Sequence, residues 1–140
     1  RPGWITSEAI AEATGAVESA TTDEALGRSP GTRHRHYSPR ARVVLIERGD
    51  ATSIRGLCES LLKSGRVAFL GHTRVGIESP GFSSIILENN PREYARAIYS
   101  ALRRLDEGGP HAIVIEGISE AGEGAAVMDR LRRAASEVVR

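Results

Sequence analysis

Residues 42–71, RVVLIERGDATSIRGLCESLLKSGRVAFLG, decide the fold because they hold two apolar runs separated by an amphipathic segment. The runs RVVLIE (42–47) and RVAFLG (66–71) are almost continuously apolar, which is typical of strands that are buried on both faces. Between them, apolar residues recur at helical spacing and form a single stripe. The stripe consists of Ile54, Leu57, Cys58, Leu61 and Leu62. The stretch therefore predicts a strand, a helix and a second strand.

The rest of the chain to its end repeats this alternation. Two further apolar runs predict strands, and two further amphipathic segments predict helices. The runs are SSIILE (83–88) and HAIVIEG (111–117), and the amphipathic segments are 91–106 and 123–139. In 123–139 the predicted stripe is Val127, Leu131, Ala134 and Val138. This order predicts an α/β domain over residues 42–140, with three layers and a mainly parallel sheet.

The first 41 residues follow a different pattern. Residues 6–15, TSEAIAEATG, predict a short helix with Thr6 or Ser7 as its N-terminal cap. Residues 16–41 show no usable periodicity, and structureless segments of that length are usually functional or linkers. We therefore expect a domain boundary here. The opening RPG suggests a piece of a longer polypeptide, with 1–15 as the end of a preceding domain.

Composition narrows the possible functions of this 140-residue chain. The net charge is +1, which argues against bulk nucleic-acid binding. A single cysteine excludes an internal disulfide and a cysteine-based zinc site. The apolar runs are far shorter than a membrane span, and no signal-peptide pattern is visible. We predict a cytoplasmic protein with no membrane partner.

Two glycine-containing loops are candidate ligand sites, because ligands of parallel sheets bind outside the carboxyl ends of the strands. They are GHTRVG (71–76) and EGISEAGEG (116–124). The second precedes a predicted helix, where glycines can cradle a phosphate. However, Glu116, Glu120 and Glu123 would repel an anion. We favour tight turns and close helix–sheet packing as the purpose of these glycines.

Single residues with reactive side chains give no catalytic arrangement. Cys58 lies on the apolar stripe, so we interpret it as a buried structural thiol and not as a nucleophile. His72 and His111 stand alone at strand ends, which favours surface or turn positions over metal binding. Asp129 can pair with Arg132 or Arg133 one helical turn away. Spacing predicts no catalytic residue and no metal site in this chain.

The segment SPGTRHRHYSP (29–39) concentrates hydrogen-bonding side chains between prolines. Its side chains Arg33, His34, Arg35, His36 and Tyr37 suit a phosphate, carboxylate or carbonate-like anion. A solubilising tether between domains and contact with single-stranded RNA are the two alternatives. From the residues alone we favour anion binding, and the alternatives stay open.

This segment resembles the interdomain linker of the long-form YrdC–Sua family, the L-threonylcarbamoyladenylate synthases. RPGWIT (1–6) is similar to the end of the family's catalytic YrdC domain. ENNPREYARAIYSALRRLDE (88–107) and GEGAAVMDRLRRAAS (122–136) are similar to segments of its C-terminal Sua domain. The chain departs from the family at Thr32, where methionine is usual. The resemblance implies a tail of the YrdC domain (1–15), an interdomain linker (16–41) and a Rossmann-like Sua domain (42–140).

The resemblance also implies an activity for the complete protein. Threonine and bicarbonate condense, and the carbamate attacks ATP, with Mg²⁺, to give threonylcarbamoyl-adenylate and pyrophosphate. The product supplies the machinery that transfers threonylcarbamoyl to an adenosine of tRNA. The partners implied are the N-terminal YrdC domain, L-threonine, bicarbonate and ATP. We expect this chain alone to be inactive and to bind neither cofactor nor metal.

By resemblance, Arg1, Arg33 and Arg35 would lie near nucleotide phosphates, and His36 and Tyr37 would close over the substrate. A hypothesis of another class is a regulatory or interaction module that binds a nucleotide or a partner protein. Its expected site is formed by residues 71–76 and 117–124.

Overall fold

The computed structural model describes Glu12 and residues 39–140. Glu12 is helical, and residues 39–140 form five strands and three helices. In chain order they are β1 (Arg42–Ile46), α1 (Ala51–Leu62), β2 (Val67–Gly71), β3 (Phe82–Ile86), α2 (Pro91–Glu107), β4 (Ala112–Glu116), α3 (Gly124–Ala134) and β5 (Glu137–Val139). The strands predicted from the four apolar runs are all present, each within a residue or two of its predicted limits.

Two helices begin at residues whose side chains satisfy free backbone donors. Asp50 precedes α1, and its carboxylate accepts a hydrogen bond from the Ser53 amide at 2.7 Å. Asn90 precedes α2 and accepts from the amides of Arg92 (3.0 Å) and Glu93 (3.3 Å). Pro91 is the first residue of α2, where its missing N–H loses nothing. These local contacts explain where both helices start, and α2 starts at residue 91, as the sequence predicts.

All five strands are parallel and lie in the order β3-β2-β4-β1-β5. The central strand β4 is buried along its whole length, as its apolar sequence predicts. It pairs with β1 on one side and with β2 on the other. The carboxyl ends of these three strands therefore lie side by side, which defines one edge of the sheet as a candidate site.

Helices cover both faces of the sheet. On one face α2 and α3 pack against alternate residues of the strands, and this core includes Val43, Leu45, Leu70, Tyr94, Leu102, Ile113, Met128 and Leu131. On the other face α1 and the connection after β2 form a smaller core, which includes Ile46, Ile54, Cys58, Phe69, Val75 and Val114. The prediction of a three-layer α/β fold with a parallel sheet is confirmed.

The end of the chain corrects one prediction. The predicted helix 123–139 ends at Ala134, and Val138 belongs to β5 and not to a helical stripe. β5 pairs with β1, and the Ser136 amide donates to the Val43 carbonyl at 2.8 Å. The β-branched pair Val138–Val139 favours this extended structure. An exposed fraction of 41% for Val138 agrees with a strand at the edge of the sheet.

β3 corrects a second expectation. Like the other apolar runs, SSIILE (83–88) is typical of a strand buried on both faces, but β3 is the opposite edge strand of the sheet. Ser83, Ser84 and Ile86 are exposed. Two serines at the start of the run already indicate a partly solvated strand, because fully buried strands are poor in hydroxyl side chains.

Several predictions concern residues outside the described part of the chain. The helix predicted for 6–15 is described only at Glu12, and the linker 16–41 is described only at 39–41. Arg1, Arg33, Arg35, His36 and Tyr37 all lie outside the described residues. The domain limits at 15 and 41 remain predictions, although β1 begins at Arg42.

Candidate functional site

A cavity of about 370 Å³ lies at the carboxyl edge of the sheet, where β1, β2 and β4 end. The two loops that the sequence singles out, 71–76 and 117–124, both contribute to its wall. The lining residues are Glu47, Arg48, Gly49, His72, Asn89, Glu116, Gly117, Ile118, Ser119, Glu120 and Met128. Three of them are glutamates, so the electrostatics of the cavity depend on how each carboxylate is paired.

Glu116, the last residue of β4, joins the two loops. Its side chain is only 6% exposed. One carboxylate oxygen accepts hydrogen bonds from the amides of His72 (2.7 Å) and Thr73 (2.8 Å). The other oxygen accepts from the Thr73 hydroxyl at 2.7 Å. A buried carboxylate requires such donors, and here they come from the loop that follows β2.

His72 completes the contact between the loops. Its Nδ1 lies 3.3 Å from Glu116 Oε1, and its Nε2 lies 3.3 Å from the carbonyl oxygen of Gly117. Both ring nitrogens therefore face acceptor oxygens. The sequence predicts a surface or turn position for His72. It does lie in a turn, but its side chain is only 20% exposed and packs into the site.

Gly71 is required where these groups meet. A β-carbon at this position would lie 2.4 Å from Glu116 Oε2 and 2.4 Å from Phe69 Cζ. Neither neighbour has room to move, because both are buried in the sheet. Gly71 therefore serves the close approach of β2 to the Glu116 carboxylate.

The loop before α3, which was weighed as a phosphate cradle and interpreted instead as a tight turn, has its amide donors occupied by its own backbone. The amides of Gly124, Ala125 and Ala126 donate to carbonyl groups three residues earlier, at 3.1, 3.3 and 3.2 Å. A β-carbon on Gly124 would lie 1.7 Å from the Ser119 carbonyl oxygen. Since these donors are used and the space is filled, the contacts agree with the interpretation that the glycines serve turns and packing.

Arg132 of α3 neutralises two of the cavity glutamates. Its guanidinium donates to Glu47 at 2.6 Å and to both carboxylate oxygens of Glu120, at 2.7 and 3.0 Å. The hydrogen bonds from Arg132 lower the pKa of Glu120, and those to Glu120 and Glu47 raise the pKa of Arg132. Arg140 lies 3.7 Å from Glu47. The sequence indicates Arg132 only as a possible partner of Asp129, and it does not predict this bridge to Glu47 and Glu120.

Asp129 pairs with Arg133, the second of the two partners that its spacing allows. Arg133 Nε lies 3.1 Å from both carboxylate oxygens of Asp129. This is the contact one turn along the helix that the sequence predicts as one of two alternatives.

Tyr94 supports the site from beneath. Its side chain is fully buried, and its hydroxyl donates to the carbonyl oxygen of Glu116 at 2.7 Å. Burial, with a smaller contribution from the charge of Glu116, raises the pKa of Tyr94 well above its ordinary value. The phenol therefore stays protonated and holds β4 in place, which is a structural role.

Cys58 is buried in α1 as predicted, and burial raises its thiol pKa to about 12. A thiol with such a pKa is not a nucleophile at neutral pH. Within residues 39–140 there is no group of three or more metal-binding side chains that could hold an ion. None of the helices in the described part of the chain is long and apolar enough to cross a membrane.

The arrangement at the carboxyl edge is therefore a tightly bonded support for two loops. Its carboxylates are paired with arginine or with donors of the neighbouring loop, and the described residues there form no nucleophile–base pair. The sequence located the two loops correctly. It did not identify Glu116 as their link, although a carboxylate at the end of a continuous apolar run is the signal that indicates it.

Comparison with known proteins relates the whole chain to one family. The family described as "Threonylcarbamoyl-AMP synthase, C-terminal domain" matches residues 5–136. A relative named threonylcarbamoyl-AMP synthase, from Pyrococcus abyssi, is 33% identical over 144 residues, covering 96% of this chain and 41% of the relative. The chain thus spans about two fifths of the length of that relative.

Two solved structures are similar over almost the entire chain. The structure of P. abyssi Sua5 complexed with L-threonine has a TM-score of 0.77 and 29% identity, covering 100% of this chain and 43% of that one. A variant of P. abyssi Sua5, in which a neighbouring His and Tyr are both replaced by alanine, has a TM-score of 0.75 and 28% identity, covering 99% of this chain and 42% of that one. With the family match over residues 5–136, these likenesses show that the chain belongs to the family of threonylcarbamoyl-AMP synthase C-terminal domains.

Proposed function

We propose that this chain is the C-terminal part of an L-threonylcarbamoyladenylate synthase and supplies a linker lid together with the domain that anchors it. One observation carries the proposal. The whole chain matches part of P. abyssi Sua5, which was solved with L-threonine and is more than twice as long. The reaction joins L-threonine, bicarbonate and ATP, and releases pyrophosphate. The catalytic groups, and the Mg²⁺ that accompanies ATP, belong to the N-terminal domain.

The lid is the segment 29–39, and its residue types suit the chemistry of the product. Threonylcarbamoyl-adenylate is a mixed anhydride that water hydrolyses, so the site must exclude water while the adenylate forms. Arg33 and Arg35 bring positive charge to the phosphate, where charge develops during the reaction. Arg1 adds a further positive charge, and His36 and Tyr37 close over the substrate.

The His36–Tyr37 pair has support from the comparisons. A neighbouring His and Tyr were replaced together by alanine in P. abyssi Sua5, and that variant was solved as a structure. His36 and Tyr37 are the only His-Tyr neighbours in this sequence. We assign them to the same position of the linker.

The lid is tested in the full-length protein by single substitutions. Arg35→Ala and Tyr37→Ala are expected to lower threonine-dependent pyrophosphate release by at least about tenfold, because each removes a transition-state contact. Arg28→Ala is the matched control. Arg28 lies directly before the segment, and its substitution removes the same charge as Arg35→Ala. Melting temperatures report whether each variant still folds. Full activity in both Arg35→Ala and Tyr37→Ala would reduce the segment to a tether.

The proposed setting is the cytoplasm, with the adenylate passed to the machinery that modifies an adenosine of tRNA. The hydrolysable product favours rapid transfer to that machinery. Co-purification of the full-length protein with transfer components, with and without ATP and threonine, tests whether they associate.

A second candidate function is a ligand-sensing module, and the cavity of about 370 Å³ at the carboxyl edge is the observation that favours it. Arg132 pairs with Glu47 and Glu120, but the carboxylate of Glu116 would still oppose the phosphates of a nucleotide, which argues against ATP as the ligand. Calorimetric titration of the chain with ATP, AMP and pyrophosphate distinguishes the functions. Micromolar binding supports a sensor, whereas no heat of binding supports an anchoring scaffold.

A further inference from the structure

β3 forms one edge of the sheet, and no strand in the described part of the chain lies beyond it. Two backbone hydrogen bonds show which of its groups face β2. The Gly81 carbonyl accepts from β2 at 2.9 Å, and the Leu87 amide donates to β2 at 2.8 Å. Because hydrogen-bonding groups point to alternate sides along a strand, the odd-numbered residues of β3 bond to β2. The amides and carbonyls of Ser84 and Ile86 therefore point away from the sheet.

The residues of β3 do not protect this edge against pairing with another strand. The strand, Phe82–Ile86, has no charged residue and no proline, which are the features that keep natural sheet edges apart. Ser84 is exposed, and Ile86 is 37% exposed. The opposite edge strand β5 is different, since it has three residues and its Glu137 is paired with Arg42. The sheet thus has one protected and one unprotected edge.

Apolar side chains flank the unprotected edge on both faces of the sheet. On the face covered by α1, Phe82 and Leu62 are only partly buried. A β-carbon on Gly81, the residue before β3, would lie 3.4 Å from Leu62 Cδ2, so Leu62 reaches this edge. On the face covered by α2, Ile85 and Leu87 are also only partly buried. A strand paired with β3 would remove part of this apolar surface from water, which favours association.

The sequence of β3 is complementary to a second copy of itself. Two strands related by a twofold axis run antiparallel, and their outward-facing residues lie opposite each other. With Ser84 on the axis, Phe82 lies opposite the partner's Ile86. An aromatic and a β-branched side chain are favourable neighbours across such a pair. No like charges meet, because Glu88 lies opposite the partner's Pro80.

We propose that the protein forms a twofold-symmetric dimer through β3, which joins the two sheets into one continuous sheet. The amide of Ser84 donates to the carbonyl of the partner's Ser84, and the amide of Ile86 donates to the carbonyl of the partner's Phe82. These hydrogen bonds supply affinity, and the side-chain pairs fix the register. A five-residue edge is small for a stable interface, so the dissociation constant is expected to be on the order of micromolar.

Sedimentation equilibrium of the full-length protein measures the dimer. Ile86→Lys places a charge opposite the partner's Phe82 at two symmetric positions, so the dissociation constant should rise at least about tenfold. Val138→Lys is the matched control, because Val138 is 41% exposed and lies on the other edge strand. It should leave the dissociation constant unchanged. Melting temperatures report whether both variants fold.

Cysteine cross-linking of the full-length protein measures the register. In Ser84→Cys the two α-carbons would lie about 5.5 Å apart across the axis, within the range of a disulfide. Ser83→Cys is the control, because Ser83 is equally exposed but lies opposite the partner's Ile85. Its two copies would lie about 7–8 Å apart, beyond the usual range of a disulfide. Oxidation should link Ser84→Cys at least about tenfold more than Ser83→Cys, and Cys58 is buried and does not compete.

Three results would overturn the proposal. A full-length protein that stays monomeric from micromolar to millimolar concentration excludes the dimer. If the Ser84 amide of that monomer exchanges slowly with solvent, another part of the same chain covers the edge. A dimer that Ile86→Lys leaves intact, or one that Ser83→Cys links better than Ser84→Cys, does not form through β3 in this register.

Discussion

Replacing Glu116 is expected to release the loop that follows β2. In Glu116→Ala the amides of His72 and Thr73 lose an acceptor that now lies 2.7 and 2.8 Å away. Leaving a buried donor without a partner costs about 1–3 kcal/mol. With two such donors and the lost packing of a side chain that is 6% exposed, we expect a loss of about 3–5 kcal/mol in the free energy of unfolding.

Glu116→Gln separates the charge of the carboxylate from its shape. The amide oxygen can still accept from the two backbone groups, and its NH₂ group can donate to the Thr73 hydroxyl. The remaining loss is the difference between charged and neutral acceptors, which amounts to about 1–2 kcal/mol. Glu120→Gln is the control, because its side chain is 53% exposed and its change should stay within about 0.5 kcal/mol.

Urea unfolding of the chain, followed by circular dichroism, measures these differences. With a slope of about 2 kcal/mol/M, Glu116→Ala should lower the unfolding midpoint by about 1.5–2.5 M without changing the slope. Faster amide exchange confined to residues 72–73 in Glu116→Gln would locate the effect. A loss below about 1 kcal/mol in Glu116→Ala would refute the view that this carboxylate holds the two loops together.

Two further predictions concern the close packing at Gly71 and the buried thiol of Cys58. Gly71→Ala should destabilise the fold by about 1–3 kcal/mol, because its β-carbon would meet Glu116 and Phe69 at 2.4 Å. Gly56 of α1 has nothing within 4 Å of such a β-carbon, so Gly56→Ala should stabilise the fold by about 0.5–1 kcal/mol. Equal effects in thermal unfolding would contradict the close approach at Gly71. Cys58, with a folded pKa of about 12 against 9.0 unfolded, keeps its proton in the native state, so stability should fall as pH rises above about 9. Urea midpoints between pH 8 and 11 check this, with Cys58→Ser compared at each pH; an identical pH dependence in the variant would exclude the thiol as the cause.

The central elements of the fold could be predicted because their signals are local. Apolar runs such as 42–47 and 111–117 mark buried strands, and the cap at Asn90 marks the start of α2. β5 was missed since three residues carry little periodicity, and its pairing with β1 depends on a partner more than ninety residues away. Strand order was likewise inaccessible, because several orders satisfy the same alternation of strands and helices.

The contacts that organise the site are long-range, and this is why the sequence did not reveal them. Glu116 meets His72 and Thr73 across 44 and 43 residues, and Arg132 meets Glu47 across 85. In the sequence Glu116 is marked only by its place at the end of an apolar run, and nothing near it indicates its partners. The lid residues Arg33, Arg35, His36 and Tyr37 show the opposite case. Their chemistry is evident from the sequence, and their assignment comes from resemblance and stays a prediction.

We propose that this chain contributes a lid and its anchor to an adenylate-forming enzyme, whose catalytic centre lies in the N-terminal domain. Pyrophosphate release from ATP in the presence of threonine and bicarbonate tests it most directly, measured on the chain alone and on the full-length protein at equal concentration. We expect background release from the chain and threonine-dependent turnover by the full-length protein. Threonine-dependent turnover by the isolated chain would contradict it.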